Sequence, residues 1–498
     1  MIDQLFAWVD NRLAISRGGR HLLNKIFPDH WSFMIGEIAL YSFIVLVATG
    51  VFLTLYFVPS QHDVIYHGVY TPLIGQHVSE AFESTVNLSF QVRTGLLMRQ
   101  MHHWSANIFV GSIVVHMLRV FFTGAFRRPR EINWLVGSTL LILAIFNGFL
   151  GYSLPDDLIS GTGIRIAFSI LESIPLVGSY LATLLFGGNF PGNGLIIPRF
   201  FIIHVLIIPL AIFALLGAHL GMLVRHKHTQ FKGRGAREDN VVGTPMWPGF
   251  IAKTTGFLFL ISGVTALLGA FVQINPIWLY GQYVPYKVSY AVQPDWYMGW
   301  LDGALRVMPS WELHLPGHMI PNAFFPAILL PGITFNVLMV WPWIEAKLTG
   351  DRAEHHLLDR PRDRPVRTAF GAATFAFYFV LFGASATDVL ANYLSLSLNF
   401  VLAAFRVLCI VVPLITFPVT YKICKELQGA PGSGKRKRFN VVVRSPEGGY
   451  LAVPIAEYPG YVRPELEPVD VDNVELVPSA ADHNGATEGV FEIPRDYR

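Results

Sequence analysis

The sequence predicts an all-α polytopic membrane protein with eight transmembrane helices. Three observations predict it. Hydrophobic residues make up 52% of the 498 and charged residues only 14%, whereas soluble domains carry about 25% charged residues. Eight separate apolar runs are each near the roughly 20 residues needed to cross about 30 Å of hydrocarbon. Lys and Arg, finally, crowd into alternate connections rather than spreading evenly.

The eight runs are residues 31–58, 97–122, 134–154, 200–224, 254–272, 323–344, 369–386 and 399–422, called α1 to α8. A ninth apolar stretch, 168–186, contains Glu172, Pro175 and Gly178, and a span there would invert everything downstream. Charge decides against it. Thirty of the 37 Lys and Arg fall in the N-terminal segment, after α2, after α4, after α6 and in the C-terminal tail. The positive-inside rule then requires an even number of crossings with both termini in the cytoplasm, and leaves 168–186 as a hairpin on the outer face. The segment 1–30 is a cytoplasmic lead-in without a signal-peptide pattern, so insertion is expected to begin at α1. Residues 31–240 form a first four-helix part, 241–428 a second, and 429–498 a polar cytoplasmic tail with a composition compatible with disorder, entered through a basic linker.

A net charge of +3 over this length gives no reason to expect nucleic acid. The two cysteines, Cys409 and Cys424, are too few for a disulfide framework, a Cys-rich metal site or a covalent haem attachment. A redox metal would have to be held by histidine.

Histidine is placed for it. In α2, His102 and His116 are fourteen residues apart, a spacing that returns to within about 40° of the same helix face after rising about 21 Å. His103 is about 140° from the His116 face and is expected to meet a neighbour or the membrane interface. In α4, His204 and His219 are fifteen apart with Pro209 between them, which perturbs the local twist. Both helices run from outside to inside, so His102 should meet His204 near the outer face and His116 should meet His219 near the inner one. Two such pairs suit two bis-histidine haem b groups within the α1 to α4 bundle, with no open coordination position and hence electron transfer rather than oxygen chemistry. A single intramembrane histidine is usually a packing residue; two matching pairs point to function.

Gly36 and Gly50 in α1, and Gly137 and Gly151 in α3, repeat the fourteen-residue period and are expected to leave slots where a flat macrocycle reaches backbone. Arg99 and Arg119 stand one turn outside His102 and His116 and are expected to pair with haem propionates. Asp295 and Tyr297 follow α5 in an aromatic-rich outer loop, where a carboxylate could accept a proton from a flat hydroxylated ring.

Together the histidine and glycine pairs, GYSLP at 151–155 and PDWY at 294–297 resemble cytochrome b of the bc-type quinol:cytochrome c reductases, over about residues 28–427. The α6–α7 connection and the long tail are most similar to the actinobacterial form. The resemblance implies quinol, in that form menaquinol, oxidised near the outer face between GYSLP, the 168–186 hairpin and PDWY. One electron would go to a Rieske iron–sulfur partner and the other across two haems to quinone at the inner face, with proton translocation. It also implies a cytochrome c subunit of dihaem type, a supercomplex with an aa-type cytochrome c oxidase, a dimer of such complexes, and a bacterial cell membrane location. Three positions depart from the family pattern. Asp295 replaces the usual Glu, Asp156 and Asp157 replace Trp-Gly, and Thr254 stands beside Lys253 where many relatives have an acid; His226, Lys227, His228 and Lys253 are the basic candidates at the inner site. Two other readings exist. A haem b anchor of another respiratory oxidoreductase would not call for GYSLP and PDWY, and a proton-coupled transporter would carry no chromophore.

Overall fold

A computed structural model of the chain describes residues 2–13, 19, 22–233, 235–287, 293–316 and 318–428, with two strands at 440–444 and 450–454. Among the described residues eight helices are long and apolar enough to span a membrane, and they coincide with the expected runs: Trp31–Thr54 (α1), Gly95–Thr123 (α2), Glu131–Ser153 (α3), Ile196–Arg225 (α4), Met246–Phe271 (α5), Phe325–Thr349 (α6), Pro365–Ala384 (α7) and Leu398–Leu427 (α8). The stretch 168–186 does not span. It lies in two short helices, Leu158–Glu172 and Gly178–Phe186, the first capped by Asp157, which accepts from the amides of Ile159 and Ser160.

The chain divides into two units, Met1–Ala430 and Pro431–Arg498. In the second, Asn440–Arg444 and Tyr450–Pro454 pair as an antiparallel hairpin, so the tail contains regular structure where composition alone suggested none. The basic run 435–438 lies outside the described residues.

In the first unit α1 packs along α2, α3 lies against α2 and α4, and α5 covers α1 and α2. The bundle core joins Phe43, Phe109, Leu140, Ile208 and Ile212. Helices α6 to α8 extend it, α7 lying against α8 and α6 against α3. At the α3–α6 contact, Trp134 of α3 donates its indole N–H to the Leu338 carbonyl of α6 at 2.6 Å. Large apolar side chains such as Phe259, Phe271, Phe379 and Ile410 stay on the outside, as a hydrocarbon solvent permits.

One arginine ties a whole face together. Arg130, buried before α3, donates to the carbonyls of His226 and Lys227 beyond α4 and of His355 beyond α6. The connections after α2, α4 and α6, the basic ones, therefore share one side. Beside them Asp359 accepts from Arg367 at 3.0 Å and pairs with Arg127 at 3.2 Å, and Arg367 also holds Glu345. On the opposite side Gln61 donates to Asp156 at 3.3 Å, and a backbone bridge joins Asp157 to Gln282.

Candidate functional site

The four histidines meet as two pairs. The ring centroids of His102 and His204 are 6.3 Å apart, and those of His116 and His219 are 6.5 Å apart. An imidazole nitrogen lies about 1.15 Å from its ring centre and bonds a metal at about 2.0 to 2.1 Å, so two imidazoles facing each other across one metal place their centroids about 6.3 Å apart. Both separations fit. In the outer pair the far nitrogens are engaged: His102 Nδ1 bonds Thr49 Oγ1 and His204 Nδ1 bonds the Asn147 carbonyl, each at 3.0 Å. This leaves both Nε2 atoms for a metal, the arrangement by which outer partners orient ligand histidines. Among the described residues no group of three His, Cys, Asp or Glu is placed to hold a metal.

Histidine spacing in α4 is explained by its backbone. Residues Ile203–Ile207 form a π-helical turn between α-helical segments, starting one residue before His204 and ending just before Pro209. A π turn absorbs one extra residue, so fifteen residues here cover the angle that fourteen cover in α2. Proline supplies a cause, since it has no N–H for the carbonyl four residues back.

The four glycines lie against the four histidines. A Cβ built on Gly151 would lie 2.4 Å from His204 Cε1, on Gly36 3.1 Å from His116, on Gly50 3.2 Å from His102, and on Gly137 3.5 Å from His219. Each glycine thus backs onto one candidate ligand ring at the expected depth, where an added side chain would press on the imidazole. Arg99 gives one guanidinium bond to the Asn275 carbonyl at 2.8 Å, while its other terminal nitrogen is buried without a partner. Arg119 lies over the Phe33 ring at 4.2 Å with Nε and one terminal nitrogen buried and unpaired. Orphaned cationic donors one turn beyond each pair suit the carboxylates of a haem.

Asp295 precedes the helix Trp296–Val307, yet its side chain makes no cap hydrogen bond. It accepts instead from His103 Nε2 at 3.0 and 3.1 Å and from the Tyr297 hydroxyl at 3.0 Å. Tyr297 is buried, and burial with the adjacent Asp295 charge holds its phenol well above the usual tyrosine range. It stays a donor. Its hydroxyl reaches the α3 backbone because residue 148 is glycine, where a Cβ would stand 2.7 Å away. His103, expected to meet a neighbour, therefore meets the PDWY carboxylate.

Asp295 and Tyr152 of GYSLP both line two adjoining cavities. One, of about 530 Å³, is walled mainly by apolar side chains such as Phe149, Ile166, Leu185 and Phe335. The other, of about 490 Å³, is bounded by His103, Trp104, Asn107 and Tyr280. The larger also contains Asp302, which pairs with Arg306 at 2.8 Å and which spacing alone did not single out; burial raises its carboxyl pKa. Asp156 and Asp157 line neither cavity. The basic inner candidates separate: Lys253 pairs with Asp29 at 2.6 Å, Lys227 donates to the Asp239 carbonyl, and His226 and His228 each bury one unpaired ring nitrogen. Burial pushes the His228 imidazole down to about 4.

Eight candidate spans among the described residues, with paired histidines at two depths, define an integral membrane protein of the helical-bundle class. The comparisons make the family specific. A family profile described as cytochrome b (N-terminal)/b6/petB matches residues 107–282. The cytochrome bc1 complex cytochrome b subunit of Streptomyces coelicolor is 48% identical over 91% of this chain and 83% of its own. The same subunit of Corynebacterium diphtheriae is 51% identical over 84% and 77%, and that of Mycobacterium tuberculosis 48% over 89% and 81%. A hyperthermophilic respiratory Complex III chain has a similar fold, with a TM-score of 0.61 at 21% identity, covering 84% of this chain and 98% of that one. The chain belongs to the cytochrome b family, as the cytochrome b subunit of a bc1-type complex.

Proposed function

We propose that this subunit holds two b haems, the outer between His102 and His204 and the inner between His116 and His219, and oxidises menaquinol near the outer face. The observation that carries the reading is the pair of imidazole separations, 6.3 and 6.5 Å, each with room for one metal. Arg99 and Arg119 would hold propionates, and Gly36, Gly50, Gly137 and Gly151 would seat the ligand rings. When bound, the haems supply two one-electron stations stacked across the bilayer.

The protein's own residues do the positioning and the proton work. The two cavities have the size and mixed lining of a site for a flat ring with an apolar tail. At their shared wall Asp295 accepts the quinol proton as oxidation proceeds, with one oxygen held by Tyr297 and both by His103. Tyr152 closes the wall from α3. Quinone is reduced at the inner face, so protons leave outside and enter inside. The family context supports a Rieske iron–sulfur protein as acceptor of the other electron, a dihaem cytochrome c subunit and an aa-type oxidase as partners, dimeric complexes, and cytoplasmic termini in a bacterial cell membrane.

The test is a redox titration of the purified complex. Two b-type components are expected, the His204→Ala variant losing the outer and His219→Ala the inner. Retention of both components with unchanged spectra in either variant would remove that ligand.

A further inference from the structure

Among the described residues, Glu37 and Glu345 lie within the inner ends of spans, and they are held differently. Glu345 of α6 is neutralised by Arg367. Glu37 of α1 instead accepts from the hydroxyls of Thr254 on α5 at 2.9 Å and of Tyr41 at 3.3 Å, and among the described residues it has no ion-pair partner. Its depth is fixed by its neighbour Gly36, which backs onto the His116 ring. His116 stands seven residues before the end of α2 at Thr123, about 10 Å in from the helix end at 1.5 Å per residue. An acid in the first turn of a helix ordinarily serves the free N–H groups there. This one turns sideways to α5.

The seam between α1 and α5 continues outward to the surface. Lys253, adjacent to Thr254, pairs with Asp29 at 2.6 Å in a half-exposed position, and Thr244 also bonds Asp29. A column of polar groups thus runs from water to the level of the inner histidines. An acid at such depth without a cation is costly and marks a functional path more often than a packing choice.

We propose that Glu37 delivers the protons to the quinone reduced beside the inner pair and refills from the aqueous phase at the mouth formed by Lys253 and Asp29. The inference rests on the reading above that quinone is reduced at this face. Quinone becomes quinol by gaining two electrons, donated singly by the reduced inner b haem, and two protons. In each proton step the Glu37 O–H bond breaks, a quinone O–H bond forms, and the carboxylate takes a new proton from water at the mouth.

The experiment uses the complete complex in membranes with the outer site inhibited, following oxidation of the pre-reduced inner haem by added menaquinone. Glu37→Gln should slow it by about 100-fold or more, leave both haem spectra normal, and abolish an infrared carboxyl band that accompanies the oxidation. Adding Thr254→Glu to that variant should restore the rate and the band. Wild-type kinetics in Glu37→Gln, or a slow Glu37→Gln that Thr254→Glu does not rescue, would overturn the proposal. If the unmodified complex shows no oxidation of the inner haem by menaquinone, the reading of an inner quinone site fails first.

Discussion

Replacing Gly151 with alanine puts a methyl carbon 2.4 Å from His204 Cε1, whereas the same change at Gly137 puts one 3.5 Å from His219 Cε1. Ordinary carbon contacts run about 3.5 to 4.0 Å, so the first imidazole must retreat by about 1 Å or more and the second need not move. Gly36 and Gly50, at 3.1 and 3.2 Å, fall between. Overpacking of this kind costs about 1 to 3 kcal/mol, against which alanine in a helix gains up to about 1 kcal/mol over glycine. Gly137→Ala should therefore be neutral or mildly stabilising. Gly151→Ala should weaken outer haem binding by about tenfold or more, since 1.4 kcal/mol is a factor of ten. The assay is haem content and the reduced-minus-oxidised spectrum of the purified complex after graded detergent washing. Loss of the inner haem from Gly137→Ala with an intact outer haem in Gly151→Ala would refute the reasoning that each glycine exists to seat its histidine.

Asp295→Asn should lower quinol:cytochrome c turnover by about 100-fold or more with both haems spectroscopically normal, while Asp295→Glu keeps much of the activity; steady-state rates on membranes decide it. His103→Phe should reduce turnover less than Asp295→Asn, because Tyr297 still anchors the carboxylate; equal losses in the two would show that His103 does more than position. Asp156, buried beyond α3, has its carboxyl pushed up to about 6 from 3.8. A raised acid pKa favours the protonated folded form, so stability is lost as pH rises from about 4 through 6, by on the order of 3 kcal/mol. Asp156→Asn should therefore raise Tm at pH 7 and leave it unchanged at pH 4, measured by thermal unfolding at both; Asn also tolerates the positive φ of 55° found there. With Cys409 and Cys424 replaced by Ser, a membrane-impermeant thiol reagent on intact cells should label Tyr180→Cys and not Arg237→Cys; the reverse pattern would invert the assigned orientation.

The spans and both histidine pairs were legible because each rests on a one-dimensional signal. Hydrocarbon thickness dictates the length of an apolar run, and helical pitch dictates the spacing of two histidines on one face. The depth of each glycine was legible for the same reason, but its neighbour was not: a missing side chain shows that something approaches, and the neighbouring helix shows a histidine ring there. Asp295 shows the converse limit. Its place before a helix also reads as a cap, and the partner that draws it away from the backbone, His103, comes from α2, nearly 200 residues earlier in the chain. Glu37 and Thr254 were beyond reach for that reason too. Neither is informative alone, and contact between α1 and α5 makes them one site.

The wide turn at Ile203–Ile207 has a consequence for how such chains tolerate change. It works as a slack link: the count of residues between two ligands can vary by one while their bearing around the axis is kept. Removing a single residue from that turn, Val205 or Leu206, should set the α4 histidines fourteen apart, as in α2, with both still aimed at α2. The same deletion in α2, which has no wide turn to surrender, would swing His102 about 100° away from its partner. An alignment gap inside one helix is therefore harmless where the same gap in the facing helix would be fatal, and angle rather than spacing is the quantity this fold preserves.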